Sequence, residues 1–315
     1  MRRTSLIAII IAAIIAALLV MKPGTHVAPP EPPPNPAIAL CNQASGSETP
    51  ATADASIAIC GQVLADKSST PAARASMGRA YLAKARADAA TRDFPNALKD
   101  ATAALPSGDP LAHFYRGEAA ARTGDYAGAV ADEAAFLMGN PNGWQAFYWK
   151  AVAEDHLAGG LAAAAHDLSA SARINPSYAP AVAELGLVDF KQKDLPSAYY
   201  DETRALALFM AQPAPGDADY PVANCMAFAI RAAAEVQLLR YVDAKADASA
   251  AIALGVPGEW RAMAFKNLGY VELKSGDYTG AAEALSQAQA LSPDDKEVRL
   301  WLEAARQGRG GRSEV

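Results

Sequence analysis

Residues Ala264 to Pro293 read AFKNLGYVELKSGDYTGAAEALSQAQALSP, and the way this stretch recurs decides how the chain is organised. Its centre, SGDYTGAA at Ser275 to Ala282, has a near copy 152 residues earlier, TGDYAGAV at Thr123 to Val130. A stacked repeat must offer the same packing surfaces each time, so the flanking residues should recur at fixed offsets. They do. Seven residues before each Gly of GDY stands another Gly, Gly117 and Gly269. Twelve after those come Ala129 and Ala281, nineteen after come Phe136 and Ala288, and twenty-four after come Pro141 and Pro293.

Each copy is a pair of helices with a reason for every marked position. A small residue lets two helices cross closely, large residues fill the space between units, and Pro stops the second helix because it lacks the next backbone donor. Laid along the chain, the ruler finds AFYWKAVAEDHLAGGLAAAAHDLSASARINP with Ala151 and Pro176, then PAVAELGLVDFKQKDLPSAYYDETRALAL with Gly186. It next finds FAIRAAAEVQLLRYVDAKADASAAIALGVP with Ala232 and Pro257. MGRAYL (77–82) and NALKDATAAL (96–105) read as two helices of an earlier unit, separated by a long charged section around Arg86 to Arg92. ASIAICGQVL reads as the second helix of a truncated first unit, and DDKEVRLWLEAARQ as a capping helix. About six repeats result.

The small positions Gly117, Ala151, Gly186, Ala232 and Gly269 are spaced by 34, 35, 46 and 37 residues. The outlier places an insertion near Phe209 to Ala223, where Pro and Gly interrupt the helical pattern. Composition agrees with a helical array. Of 315 residues 51% are hydrophobic and only 7% aromatic, with Ala abundant, which suits closely packed helices. A net charge of −6 without a dense Lys/Arg stripe argues against a nucleic-acid partner.

With its Leu-Gly, Tyr, Ala, Ala and Pro positions filled, Ala264–Pro293 resembles the tetratricopeptide repeat, and the resemblance covers about residues 53 to 306. It implies an all-α, right-handed superhelix whose concave face takes protein segments. Carrying over that face residue by residue marks Phe114, Tyr115, Glu118 and Arg122; then Tyr148, Trp149, Val152 and His156; then Glu184, Leu187 and Lys191; and finally Lys266, Asn267, Tyr270 and Lys274. Rings interleaved with charges suit a peptide, since rings supply burial and ions set register. Lys266 and Asn267 match in type the family's clamp for peptide carboxylates, but the neighbouring repeats lack the matching basic and amide residues.

The N-terminus is different in kind. Arg2 and Arg3 precede sixteen apolar residues, Leu6 to Met21, and Lys22 follows. As a helix this run spans roughly 24 Å, which Thr4 and Ser5 can extend toward a membrane span. The Arg pair favours a signal anchor with the remainder exported; a cleaved signal, leaving a soluble periplasmic protein, is the alternative. Seven prolines between Pro23 and Pro36 make a semi-rigid spacer. Cys41 and Cys60, in the exported part, are expected to form a disulfide, and Cys225 to be a buried core residue.

The expected division is therefore an anchor at 1–22, a Pro-rich linker at 23–40, a disulfide-stapled truncated repeat at 41–70, repeats at 71–210, an insertion at 211–223, repeats at 224–293, and a cap with tail at 294–315. His26, His113, His156 and His166 form no metal-spaced set, and no GxSxG, GxxxxGK or GxGxxG occurs. No cofactor, metal or small-molecule substrate is expected, and catalysis has no motif behind it. The reading that results is a non-catalytic protein-binding scaffold in the bacterial inner membrane, facing the periplasm, with an envelope protein as partner. An assembly chaperone for a secretion, pilus or cytochrome-maturation complex is the alternative, and an envelope enzyme a more distant one.

Overall fold

The computed structural model describes Cys41 and residues 50–65, 71–212 and 219–308. The expected anchor (1–22), linker (23–40) and tail (309–315) lie outside the described residues. Among the described residues there are fourteen α-helices and no strand, and no helix is long and apolar enough to cross a membrane.

The helices are α1 (Pro50–Ala65), α2 (Pro71–Ala90), α3 (Phe94–Ala104), α4 (Pro110–Thr123), α5 (Tyr126–Gly139), α6 (Trp144–Asp155), α7 (Leu161–Ile174), α8 (Ala179–Lys191), α9 (Leu195–Ala211), α10 (Tyr220–Gln237), α11 (Tyr241–Ala253), α12 (Glu259–Ser275), α13 (Tyr278–Leu291) and α14 (Lys296–Arg306). From α2 to α13 they form six antiparallel pairs, preceded by the lone α1 and closed by α14. First helices of successive pairs touch one another as well as their own partners, whereas second helices touch only the first helices on either side. Even-numbered helices from α2 to α14 therefore form the inner layer of a curved stack.

The GDY phrase is a turn with two tasks. Gly124 ends α4 in the left-handed conformation at φ 90°, and the Asp125 carboxylate accepts from Gly128 N to start α5. Gly276 and Asp277 repeat this between α12 and α13. Elsewhere the phrase decays. Arg92, Lys193 and Leu239 hold the same left-handed position at φ 64°, 65° and 60° without being glycine. Close crossing explains Gly117, Gly186 and Gly269: a Cβ on Gly117 or Gly186 would meet the Glu133 or Glu202 side chain at 2.6 or 2.8 Å, and one on Gly269 would meet Leu285 at 2.5 Å. Ala151 and Ala232 are fully buried at the equivalent crossings.

Two sequence expectations need narrowing. The charged section Arg86 to Arg92 does not separate two helices; α2 runs through it to Ala90, because nothing in ARADAA opposes a helix. The flanking helices also run into the expected insertion from both sides. α9 continues through Phe209 to Ala211, and α10 begins at Tyr220 with Pro221 in its first turn, where a missing N–H has no cost. Phe209 and Tyr220 are both buried and meet edge-on at 4.6 Å, so the two helix ends are packed together.

Cys41 and Cys60 are joined by a disulfide, packed with Val63 and Ala73 at the start of the stack. Cys225 is a buried free thiol packed among Ala229, Ala251 and Ala264. Along the stack the core is a chain of small clusters between successive pairs, with the largest around α8, α9 and α10.

A second repeating feature was not read from the sequence. A base on the first helix pairs with a buried Asp sixteen or seventeen residues later on the second: Lys84–Asp100 at 3.7 Å, Arg116–Asp132 at 2.6 Å, Lys150–Asp167 at 2.5 Å and Arg231–Asp247 at 2.5 Å. In the fourth pair Leu185 stands where the base would be. Asp201 there faces Asp189 instead, and burial followed by the Asp201 charge pushes the Asp189 carboxyl up to about 7. Burial, ahead of any neighbour, raises the Asp201 carboxyl as well.

Candidate partner-binding groove

The inner layer carries three cavities in succession. The first, about 390 Å³, lies between α2, α4 and α6 and is lined by Phe114, Tyr115, Glu118, Arg122 and Trp149 together with Asp219 from the start of α10. The second, about 420 Å³, lies between α6, α8, α10 and α12 and takes in His156, Glu184, Leu187 and Lys191. The third, about 410 Å³, lies between α8, α10, α12 and α14 and takes in Lys266, Asn267 and Tyr270. Phe190 and Met263 line both the second and the third, so these two are adjacent. A larger hollow of about 1010 Å³ lies by α12, α13 and the end of α14.

Helical spacing puts these residues on one face, since positions three, four and seven apart lie above one another. The predicted residues nevertheless differ in what they are free to do. Tyr148 is 5% exposed and packs edge-on against Trp149 at 4.8 Å and Tyr178 at 5.4 Å, so its ring belongs to the core between repeats. Trp149, 9% exposed, presents its face to the Arg122 guanidinium at 4.3 Å. Phe114 is tied to Tyr115 and Phe136 by ring contacts. Tyr115 is half-buried on the first cavity, and burial raises its hydroxyl above the ordinary range.

In the second cavity His156 is exposed and stacks on Tyr126 at 4.3 Å. Lys191 pairs with Asp155 at 2.5 Å. Glu184 is pushed up to about 7, chiefly by burial and then by the Asp155 charge. In the third, Lys266 pairs with Asp295 at 2.9 Å and Glu297 at 2.6 Å and sits 5.4 Å from the Trp301 ring centre. Asn267 is buried and donates from Nδ2 to the Ala229 carbonyl at 3.0 Å, tying α12 to α10. Both residues of the clamp-like pair are thus engaged within the fold. Tyr270 lies between Trp301 at 4.6 Å and the Lys274 ammonium at 5.2 Å.

Residues of this surface that escaped the sequence reading include Asp219, Asp155, Trp260 and Met263. For two of them a signal existed. Trp260 and Met263 precede Asn267 by seven and four residues and so lie on its helical face. Asp219 had none, because its place in the first cavity depends on the curvature of the whole stack.

The geometry defines an all-helical solenoid with a grooved inner face. Residues 77–140 and 231–296 match the tetratricopeptide repeat family. No curated protein matches the sequence. Among solved structures, the Cut9–Hcn1 hetero-tetramer of the APC/C is similar over 80% of this chain and 52% of its own, with TM-score 0.62 and 16% identity. This chain therefore spans about half the length of that one. A tetratricopeptide repeat protein from Parabacteroides merdae is similar over 86% of this chain and 100% of its own, at TM-score 0.52 and 14% identity. The C-terminal part of a repeat-containing protein from Cytophaga hutchinsonii is similar over 84% and 98%, at TM-score 0.51 and 16% identity. At such identities the likeness concerns the fold.

Proposed function

We propose that this protein is a non-catalytic scaffold that holds a segment of a partner protein along the inner face of its stack. The observation that carries this reading is the succession of three cavities on one layer of helices, each combining rings with ionic groups. Such a surface suits an extended or helical segment, in which alternate side chains enter separate hollows while the backbone runs along the face. The family likeness supports the same use, since proteins built from these repeats serve as interaction scaffolds.

On this proposal the scaffold sits in a bacterial inner membrane with the repeats in the periplasm. Support for this comes from Arg2, Arg3 and the apolar run Leu6 to Met21, and from a disulfide at Cys41–Cys60, a bond favoured in an oxidising compartment. Anchoring near an envelope partner raises the local concentration of the groove.

A crosslinking pull-down of full-length protein from native membranes tests the reading against a Tyr115→Ala, Lys274→Glu variant. Both residues lie on the inner face without being core. Partners lost by the variant while its helical circular dichroism is unchanged support the groove; an unchanged set of partners contradicts it.

A further inference from the structure

The middle cavity is built differently from its neighbours. Its walls include Phe190 and Met263, yet three carboxylates, Asp155, Glu184 and Glu259, converge on it against the single ammonium of Lys191. That ammonium is committed to Asp155 Oδ2. The Asp155 side chain is only 6% exposed, and its other oxygen, Oδ1, accepts no hydrogen bond among the described residues. Glu184 makes neither a hydrogen bond nor an ion pair there. Burial and then the Asp155 charge, with a smaller contribution from Glu259, work against its ionisation. Trp260 supplies a ring on the same cavity. A partly buried acceptor with no donor is costly when empty, and it gains most from a ligand that brings the donor.

We propose that this cavity receives an arginine side chain of the partner segment, its guanidinium donating to Glu184 and Asp155 Oδ1 and its methylene stem lying along Phe190 and Met263. Arginine suits the site better than lysine for three reasons: a fork of donors can reach two separate carboxylates, guanidinium is the more weakly hydrated cation, and it stacks on an aromatic ring such as Trp260. The cavity shares Phe190 and Met263 with the third, so the segment carrying the arginine has an adjoining hollow for a neighbouring side chain. This inference rests on the groove reading and adds the chemistry of its anchor.

The test uses full-length protein and blocked peptide libraries with random flanks and one fixed central residue: arginine, lysine, citrulline or leucine. Citrulline keeps the shape of arginine and removes its charge. The arginine library is expected to bind about tenfold or more tighter than the citrulline library, as about 1.4 kcal/mol of charge-assisted hydrogen bonding requires. In Glu184→Gln, checked by its melting curve, that ratio should fall to about twofold, and Asp155→Asn should reduce it likewise. Equal binding of all libraries overturns the arginine site while leaving the groove intact. A preference undiminished in both variants also overturns it, because the charge is then read elsewhere. If no library binds, the groove reading falls and this inference falls with it.

Discussion

The carboxylate of Asp219 is clamped by the guanidinium of Arg122, a residue 97 positions earlier in the chain. Arg92, 127 positions earlier, reaches the same carboxylate at 2.7 Å. Arg122 also lies over the rings of Trp149 and Phe94, at 4.3 and 5.0 Å. The start of the fifth helix pair is thus fastened to the first two pairs across the inner face, and the curvature of the stack has a specific latch. Burial alone would raise the Asp219 carboxyl, but hydrogen bonds from Arg122 and Arg92 outweigh it and hold the group below its ordinary value.

Arg122→Ala should therefore leave Asp219 partly buried and short of its main partner, at a cost of about 2 kcal/mol. Without the latch the stack should also open, which small-angle scattering reads as a larger radius of gyration. The latch has a pH signature. A folded-state value below the unfolded one means that its stabilisation is present above about pH 4 and is lost as pH falls through the lowered value. The wild type and Arg122→Ala should differ in urea midpoint at pH 7 and converge in acid.

Glu133 and Glu202 are fully buried, and their carboxyl oxygens have no hydrogen-bond partner among the described residues. Burial, ahead of neighbouring acidic charges, raises both carboxyls well above the ordinary range. They occupy the position against Gly117 and Gly186 that Leu285 occupies against Gly269. Glu133→Leu and Glu202→Leu should each stabilise the fold by about 1–3 kcal/mol, measured by urea denaturation, because an unpaired polar group gives way to one that packs.

Asp189 supplies a pH effect of the opposite sign to that of Asp219. Its folded value of about 7 lies above the unfolded one, so the folded protein keeps a proton that the unfolded chain releases. Stability from this group is full below about pH 4 and is lost as pH rises through about 7. Asp189→Asn should gain on the wild type between pH 5 and pH 8, by about 1–2 kcal/mol at the upper end. A difference that does not change with pH would show that Asp189 keeps no proton in the folded state.

Leu239 holds a left-handed φ of 60° and is 71% exposed, at a turn where Gly124 and Gly276 stand in the better copies of the repeat. Leu239→Gly removes the Cβ clash of that conformation and should raise stability by about 1 kcal/mol, detectable as a higher melting temperature.

What could be read in the sequence was what a repeat must write locally. Gly117 and Gly269 declare a close crossing, Asp125 and Asp277 a helix start, and Pro a helix end; each acts within a few residues and leaves a pattern. The resemblance to the tetratricopeptide repeat, carried over residue by residue, likewise put Tyr115, Glu184, Lys191, Lys266 and Tyr270 on the inner layer. It could not separate Tyr115, which faces the cavity, from Tyr148, which packs between repeats, because both lie on the same layer and differ by a small rotation. Nor could it assign Asp219, whose partner depends on rotations summed over several pairs. Glu133 was passed over because its surroundings come from another helix.

The central claim is that the inner face, not the outer, holds a partner segment. A photo-crosslinking amino acid placed in full-length protein at Lys274, on the inner layer, or at Met138, 89% exposed on the outer helix α5, tests it directly. The account predicts that irradiation of native membranes joins one recurrent partner peptide to position 274 and none to position 138. The same partner captured equally from both positions, or from 138 alone, would contradict it.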